Sequence, residues 1–231
     1  MVEFWKGHGT ENDFVLLPDP DGALDLTPGR VRTLCDRHRG LGADGVLRVV
    51  LAGALPDTQS GMDSATWFMD YRNADGSVAE MCGNGVRVFA CYLVESGLRP
   101  LGAFDVGTRN GLRSVVVHED YSVTVDMGFP TVFASSTATV DGVAFDGYAV
   151  DVGNPHLACL LRTDVDELDL SVSPGYDAAL FPHGVNQEFV NVVSPEAIKL
   201  RVHERGVGET RACGTGTVAA VAAVLRDAGR T

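Results

Sequence analysis

Two stretches of the chain are apolar at nearly every position, residues 86–93 (VRVFACYL) and 218–225 (VAAVAAVL). Each passes into polar residues before a glycine, Gly97 or Gly229. A run of this kind, opened by a glycine-rich turn and closed by glycine, predicts a buried helix. Elsewhere the apolar residues come in short strand-like groups. In the first part these are 3–6 and 14–17, flanking a Gly-His-Gly-Thr-Glu-Asn turn, and 66–71. In the second part they are 148–152, 156–161, 188–193 and 198–202.

The two helices belong to a longer repeat. Residues 80–97 read EMCGNGVRVFACYLVESG and residues 211–229 read RACGTGTVAAVAAVLRDAG, each with Cys-Gly-x-Gly directly before the apolar run. Self-similarity of this kind marks duplicated architecture. It predicts two homologous α+β halves, 1–120 carrying Cys82 and 121–231 carrying Cys213, that meet near 115–130. After Cys82 the first half continues into strand runs at 104–106, 113–118 and 122–127, the last two around a Glu119-Asp120 turn. After Cys213 only 18 residues follow. The second half is therefore expected to lack the C-terminal strands of its twin.

Composition narrows the function. With 45% hydrophobic residues the chain can bury a core, and its net charge of -13 argues against a nucleic-acid surface, which needs clustered Lys and Arg. No apolar run reaches the roughly 18 residues of a membrane span, and the start of the chain does not read as a signal peptide, so a cytoplasmic protein with no membrane partner is expected. The five cysteines, Cys35, Cys82, Cys91, Cys159 and Cys213, include no C-x-x-C pair. They fit neither a disulfide framework nor a zinc site, so no metal is expected.

A cysteine at the start of a helix meets unpaired backbone N–H groups and the positive end of the helix dipole. That setting is expected to lower both thiol pKa values from the usual ~8.5 and to bind a carboxylate nearby. Two such turns supply what stereochemical inversion through a carbanion requires: a base for one face, an acid for the other, and donors for the developing charge. Cys35, Cys91 and Cys159 lack this context and read as buried small hydrophobes. Taken alone, His156 in Gly-Asn-Pro-His is more often structural, and Glu204-Arg205 is more often a surface ion pair.

The segments GHGTENDF (7–14), GLGADG (40–45), RNADGSVAEMCGNGVR (72–87), GNPH (153–156), VNQEFV (185–190) and HERGVGETRACGTG (203–216) together resemble the diaminopimelate epimerase family over nearly the whole chain. The resemblance implies an α+β fold of two pseudo-symmetric halves, each a mixed or antiparallel β-sheet wrapped around a central helix. The activity it implies is epimerisation of LL- to meso-2,6-diaminopimelate in lysine and peptidoglycan precursor biosynthesis. No metal or cofactor is implied; the partner is a small-molecule substrate, and a homodimer is left open. Cys82 and Cys213 match the proton-exchanging pair, and His156 and Glu204 the polar partners at the reacting centre. Gly83, Asn84, Gly214 and Thr215 match the turns that hold the α-carboxylate. Asn12, Asn73, Asn154, Asn186 and Arg205 match the side chains that hold the rest of the substrate.

One departure within the motifs is Gly45, where some members carry an amide side chain. The nearest rival is a proline or hydroxyproline racemase, which carries His where this chain has Asn84 and needs no grip on a distal amino-acid end. A phenazine-biosynthesis-type isomerase lacks the cysteine pair. The other alternative is an inactive remnant with an incomplete second half.

Overall fold

Residues 14–17, Phe-Val-Leu-Leu, are apolar without alternation, a pattern that suits a strand covered on both faces. In the computed structural model, which describes residues 2–56 and 61–230, Phe14 and Leu16 belong to one core cluster and Val15 and Leu17 to another. The chain divides into two compact units, Met1–Asp126 and Met127–Thr231.

In the first unit, β1 (Trp5–Gly9), β2 (Asn12–Pro18), β3 (Gly45–Leu51), β4 (Trp67–Asn73), β5 (Gly102–Thr108), β6 (Gly111–Val117) and β7 (Val123–Val125) form one sheet in that order. Helix α1 (Pro28–Cys35) sets Val31 and Cys35 against Val15, Leu17 and Val46. Helix α2 (Gly83–Glu95) buries Val86, Phe89, Ala90 and Leu93 in the cluster that holds Phe14, Leu16, Leu47, Met69 and Val115.

Three details depart from the expected pattern. The turn expected over 7–12 shrinks to Thr10 and Glu11, both at positive φ (55° and 64°), with Gly9 paired to Asn12. Two such residues form a hairpin turn whose twist matches the strands. Gly7 and Gly9 lie in β1 instead, where a Cβ would come 2.9 Å from Val88 Cγ1 and 3.0 Å from the Asn84 carbonyl oxygen. They are small because α2 lies against the strand. Strand β3 escapes an alternation test because Val46 faces the α1 cluster while Leu47 and Val49 face the α2 cluster. Helix α1 escapes because only two of its residues are buried, although Thr27 caps it by accepting from the Arg30 N–H.

In the second unit, β8 (Thr131–Val140), β9 (Val143–Asp151), β10 (Pro155–Leu160), β11 (Asn186–Ser194), β12 (Ala197–Glu204) and β13 (Gly208–Thr210) form a sheet ordered β13-β12-β11-β10-β9-β8. Helix α3 (Gly214–Asp227) packs Ala219 on Val150 and Val152. On the opposite face Ala149, Leu157, Cys159 and Phe189 form the larger cluster. The segment expected at 148–152 is only the end of β9. Its partner β8 is hidden in the sequence because an irregularity between Val132 and Ala134 breaks the two-residue period.

The duplication is visible in the pairing. β1-β2-β3-β4 run antiparallel, parallel, antiparallel, and β9-β10-β11-β12 repeat that order before the second cysteine turn. Both helices end as the glycines predict, with Gly97 at φ 72° and Gly229 at φ 67°.

Phe89 is fully buried at the centre of the α2 cluster. Phe89→Ala is expected to cost about 3–5 kcal/mol, read from the denaturant midpoint. Val221→Ser, on the exposed side of α3, should stay within about 0.5 kcal/mol of wild type.

Candidate active site

Each Cys-Gly-x-Gly turn folds the same way. Cys82 is the N-cap of α2 and its sulfur accepts the Gly85 N–H at 3.4 Å. Cys213 is the N-cap of α3 and accepts the Gly216 N–H at 3.3 Å. The spacing follows from the N-cap bond, which reaches an N–H three residues on. The last glycine follows from crowding. A Cβ at Gly85 would lie 3.3 Å from Leu47 Cδ2, and one at Gly216 would lie 2.6 Å from Glu188 Oε1. The N–H groups of Gly83 and Asn84, and of Gly214 and Thr215, lie in first turns, where a helix offers them no internal acceptor. Such groups hold a carboxylate.

Around Cys82 the structure gathers Asn12 and Asn84. Asn12 Oδ1 lies 3.8 Å from the Cys82 sulfur and accepts from Asn84 Nδ2 at 3.4 Å. Asn84 Oδ1 in turn accepts from Arg87 at 2.6 Å. Asn12 is aimed by Asp44, whose Oδ2 accepts from its amide at 2.9 Å while Arg37 donates to Oδ1 at 2.7 Å. Asn73, at the end of β4, is bonded to Ser77 across the following turn at 2.9 Å. Gly45 pairs with Asn73 in the sheet, and a Cβ there would come within 2.7 Å of the Arg72 carbonyl oxygen and the Tyr71 ring. No side chain fits at that position without a backbone shift, which accounts for the glycine.

Around Cys213 the predicted residues form a chain of bonds. His156 is fully buried inside β10, in the strand expected over 156–161. Its Nε2 meets Asn154 Oδ1 at 3.1 Å, and Asn154 Nδ2 donates to Thr215 Oγ1 at 3.5 Å. Thr215 Oγ1 lies 3.3 Å from the Cys213 sulfur. Glu204 ends β12 and accepts from the Thr210 hydroxyl at 2.5 Å. Asn186 accepts the Arg205 N–H at 2.9 Å, and the exposed Arg205 guanidinium donates to the His183 carbonyl oxygen at 3.2 Å. A cavity of about 520 Å³ adjoins Cys213, lined also by Val202, Thr210, Arg211 and Thr217.

The expected lowering of both thiol pKa values does not hold at Cys213. Burial pushes this thiol far above its usual range, and the carboxylates of Glu204 and Glu188 add to the effect. Bonds from Thr215 and the Gly216 N–H oppose it and lose. A helix N-terminus stabilises a thiolate by an amount that desolvation can exceed. The three remaining cysteines read as inert: burial raises Cys35 to about 11 and Cys159 to about 12, and raises Cys91 as well.

Two participants are not singled out by sequence reasoning. Asp44 lies in the GLGADG segment but carries no signal that it seats Asn12. Glu188 on β11 is fully buried and bonds His156 Nδ1 through Oε1 at 2.7 Å. Its signal is the carboxylate itself, placed inside a strand whose first five residues are all buried. No group of three or more His, Cys, Asp or Glu side chains suited to a metal ion occurs among the described residues. No described helix is long and apolar enough to cross a membrane.

Comparison with known proteins bears on the fold and on the family. A hydroxyproline epimerase from Agrobacterium vitis superposes with a TM-score of 0.67 at 18% identity, covering 100% of this chain and 78% of that one. At that identity the likeness speaks for the fold alone. Sequence relatives are much nearer. The diaminopimelate epimerase of Rhodococcus erythropolis is 57% identical over 99% of this chain and 83% of its own length. That of Rhodococcus opacus is 56% identical over 97% and 83%. The sequence model of diaminopimelate epimerase matches residues 4–133 and 148–231, and the chain belongs to that family.

Proposed function

We propose that the chain converts LL-2,6-diaminopimelate to meso-2,6-diaminopimelate, with Cys82 and Cys213 exchanging protons at one α-carbon and with neither metal nor pyridoxal phosphate. The observation that carries this reading is the paired N-cap geometry, in which each sulfur receives an N–H from its own helix. An α-proton is weakly acidic, so its removal needs preorganised donors on the carboxylate where charge builds up. The first-turn N–H groups beside each cysteine are such donors. The raised Cys213 supplies the thiol that gives a proton, which assigns the first abstraction to Cys82. The roles exchange in the reverse direction, because proton transfer must be microscopically reversible. Asn12, Asn84, Asn154 and Thr215 orient the reacting end, while Asn73, Asn186 and Arg205 are assigned to the remainder of the substrate. Polar groups that grip a second amino-acid end select for it, because a shorter substrate leaves them unpaired.

Deuterium should enter the α-carbon when LL-2,6-diaminopimelate is incubated in D₂O without pyridoxal phosphate. Cys82→Ala and Cys213→Ala should each lose epimerisation by about 10²–10⁴-fold, the range for removing a general acid or base. Proline and hydroxyproline should show no exchange; turnover of either in preference to diaminopimelate would defeat the substrate assignment.

The raised Cys213 thiol also makes a pH prediction. Below its midpoint the group is the neutral thiol, and above it the thiolate. Ultraviolet thiolate absorbance should show a titration well above the ordinary ~8.5 that disappears in Cys213→Ser. A Cys213 titration at or below that ordinary value would contradict the assignment of the resting proton.

A further inference from the structure

Glu188 is given no contact with the substrate in the reaction outlined above, yet it is among the most constrained side chains of the second unit. It is fully buried, its Oε1 is 2.7 Å from His156 Nδ1, and its Oε2 has no hydrogen-bond partner among the described residues. Isolating a carboxylate in this way is costly unless its bonds carry something.

We propose that Glu188 is a positioning residue for proton transfer at Cys213: by holding His156 at Nδ1 it aligns the bonds that run through Asn154 and Thr215 to the sulfur. In register, His156 pairs with Asn186, two residues from Glu188, so both side chains lie on one face of the sheet. A 2.7 Å contact between two acceptors needs a proton between them, so one sits between Nδ1 and Oε1. By the same rule a second proton lies between Nε2 and Asn154 Oδ1, 3.1 Å away, so His156 donates to that oxygen. That fixes the Asn154 amide, whose Nδ2 donates to Thr215 Oγ1. With its acceptor side engaged, the Thr215 hydroxyl has its proton left for the Cys213 sulfur. The arrangement resembles in logic an acid that fixes the tautomer of a catalytic histidine.

Charge and bonding make opposite predictions for this residue. With a proton at each ring nitrogen the His156–Glu188 pair carries no net charge, which offsets the effect of the carboxylate itself on the sulfur, so the influence of Glu188 runs mainly through the bonds. Among the described residues of this unit, the other charged groups near the sulfur include Glu204 on β12 and, round the adjoining cavity, Arg201, Glu209 and Arg211. Losing the bonds removes a donor from the thiolate and moves its titration up. Losing a bare negative charge would move it down.

Three variants separate these cases. In Glu188→Gln the amide nitrogen faces His156 Nδ1, because the opposite orientation would bury an unmet NH₂ where Oε2 now lies. That variant keeps Nε2–H on His156 and should retain kcat within about 3-fold of wild type. Glu188→Met keeps the volume and breaks the bond. It should lower kcat by about 10-fold or more with KM within about 2-fold, and should move the Cys213 thiolate titration further up. Thr215→Val cuts the far end of the chain and should move the titration the same way, which gives a second route if Glu188→Met does not fold. Melting curves establish that each variant is native. The proposal is overturned if Glu188→Met behaves as wild type, or if Gln and Met alike move the titration down. The kcat measurements rest on the epimerase reading, whereas the titration does not. Absence of turnover in wild type would sink that reading and leave the titration to decide the role of Glu188.

Discussion

Both helices begin on a sulfur. An α-helix leaves its first N–H groups without internal acceptors, and the usual remedy is a Ser, Thr, Asp or Asn whose oxygen accepts one of them. Here the N-caps are Cys82 and Cys213, with sulfur-to-nitrogen distances of 3.4 and 3.3 Å. Sulfur is a weak acceptor, so the chain forgoes part of the roughly 1 kcal/mol that a good cap contributes. What it gains is a thiol held beside the first-turn N–H groups of its helix, the kind of donor that binds a carboxylate. The rest of each motif follows from that choice. The glycine three residues on must bring its N–H to the sulfur without a side chain, and the helix behind must be apolar enough to be held by its sheet.

The two caps are alike in backbone and unlike in surroundings. Cys82 is half-buried with the amides of Asn12 and Asn84 about it, the first held by Asp44 and the second by Arg87. Cys213 is buried, with two carboxylates acting on it and a histidine chain behind it. A symmetric pair would have no reason to rest with its proton on one particular sulfur. The asymmetry provides one, because a thiol holds its proton according to its own surroundings. Duplication supplied the frame, and the differences lie in side chains on strands that the repeat places equivalently, such as β3 and β11.

The parts legible in the sequence are those whose signal is local. Cys-Gly-x-Gly followed by an apolar run and a terminal glycine locates α2 and α3 because caps and stops act within a few residues. The alternating or bounded apolar groups locate most of the strands that carry the site. What escapes is set by tertiary contact. β3 is covered on both faces, Gly7 and Gly9 are small because a helix crosses them, and β8 is broken by its irregular register. The thiol of Cys213 is the clearest example. Its helix terminus is visible in the sequence and argues for a lowered pKa, while the burial and the carboxylates that reverse the sign come from residues 9 and 25 positions away.

Gly216 shows how closely the cap and the histidine chain are tied. Its N–H bonds the Cys213 sulfur, and the space where its Cβ would stand is occupied by Glu188 Oε1, 2.6 Å away. One residue therefore gives the helix its cap and leaves room for the carboxylate that holds His156. A side chain at 216 would force a choice between them. It would push the helix from the sulfur or the carboxylate from the histidine, and a shift of a few tenths of an ångström in either exceeds what packed interiors absorb without loss. The glycine of the second motif is thus required twice, once by the local turn and once by a strand 28 residues earlier in the chain. Its counterpart Gly85 answers only to the turn and to Leu47, an apolar neighbour. That difference is where the two halves of the repeat part: the first cap rests on hydrophobic packing and the second on a buried acid.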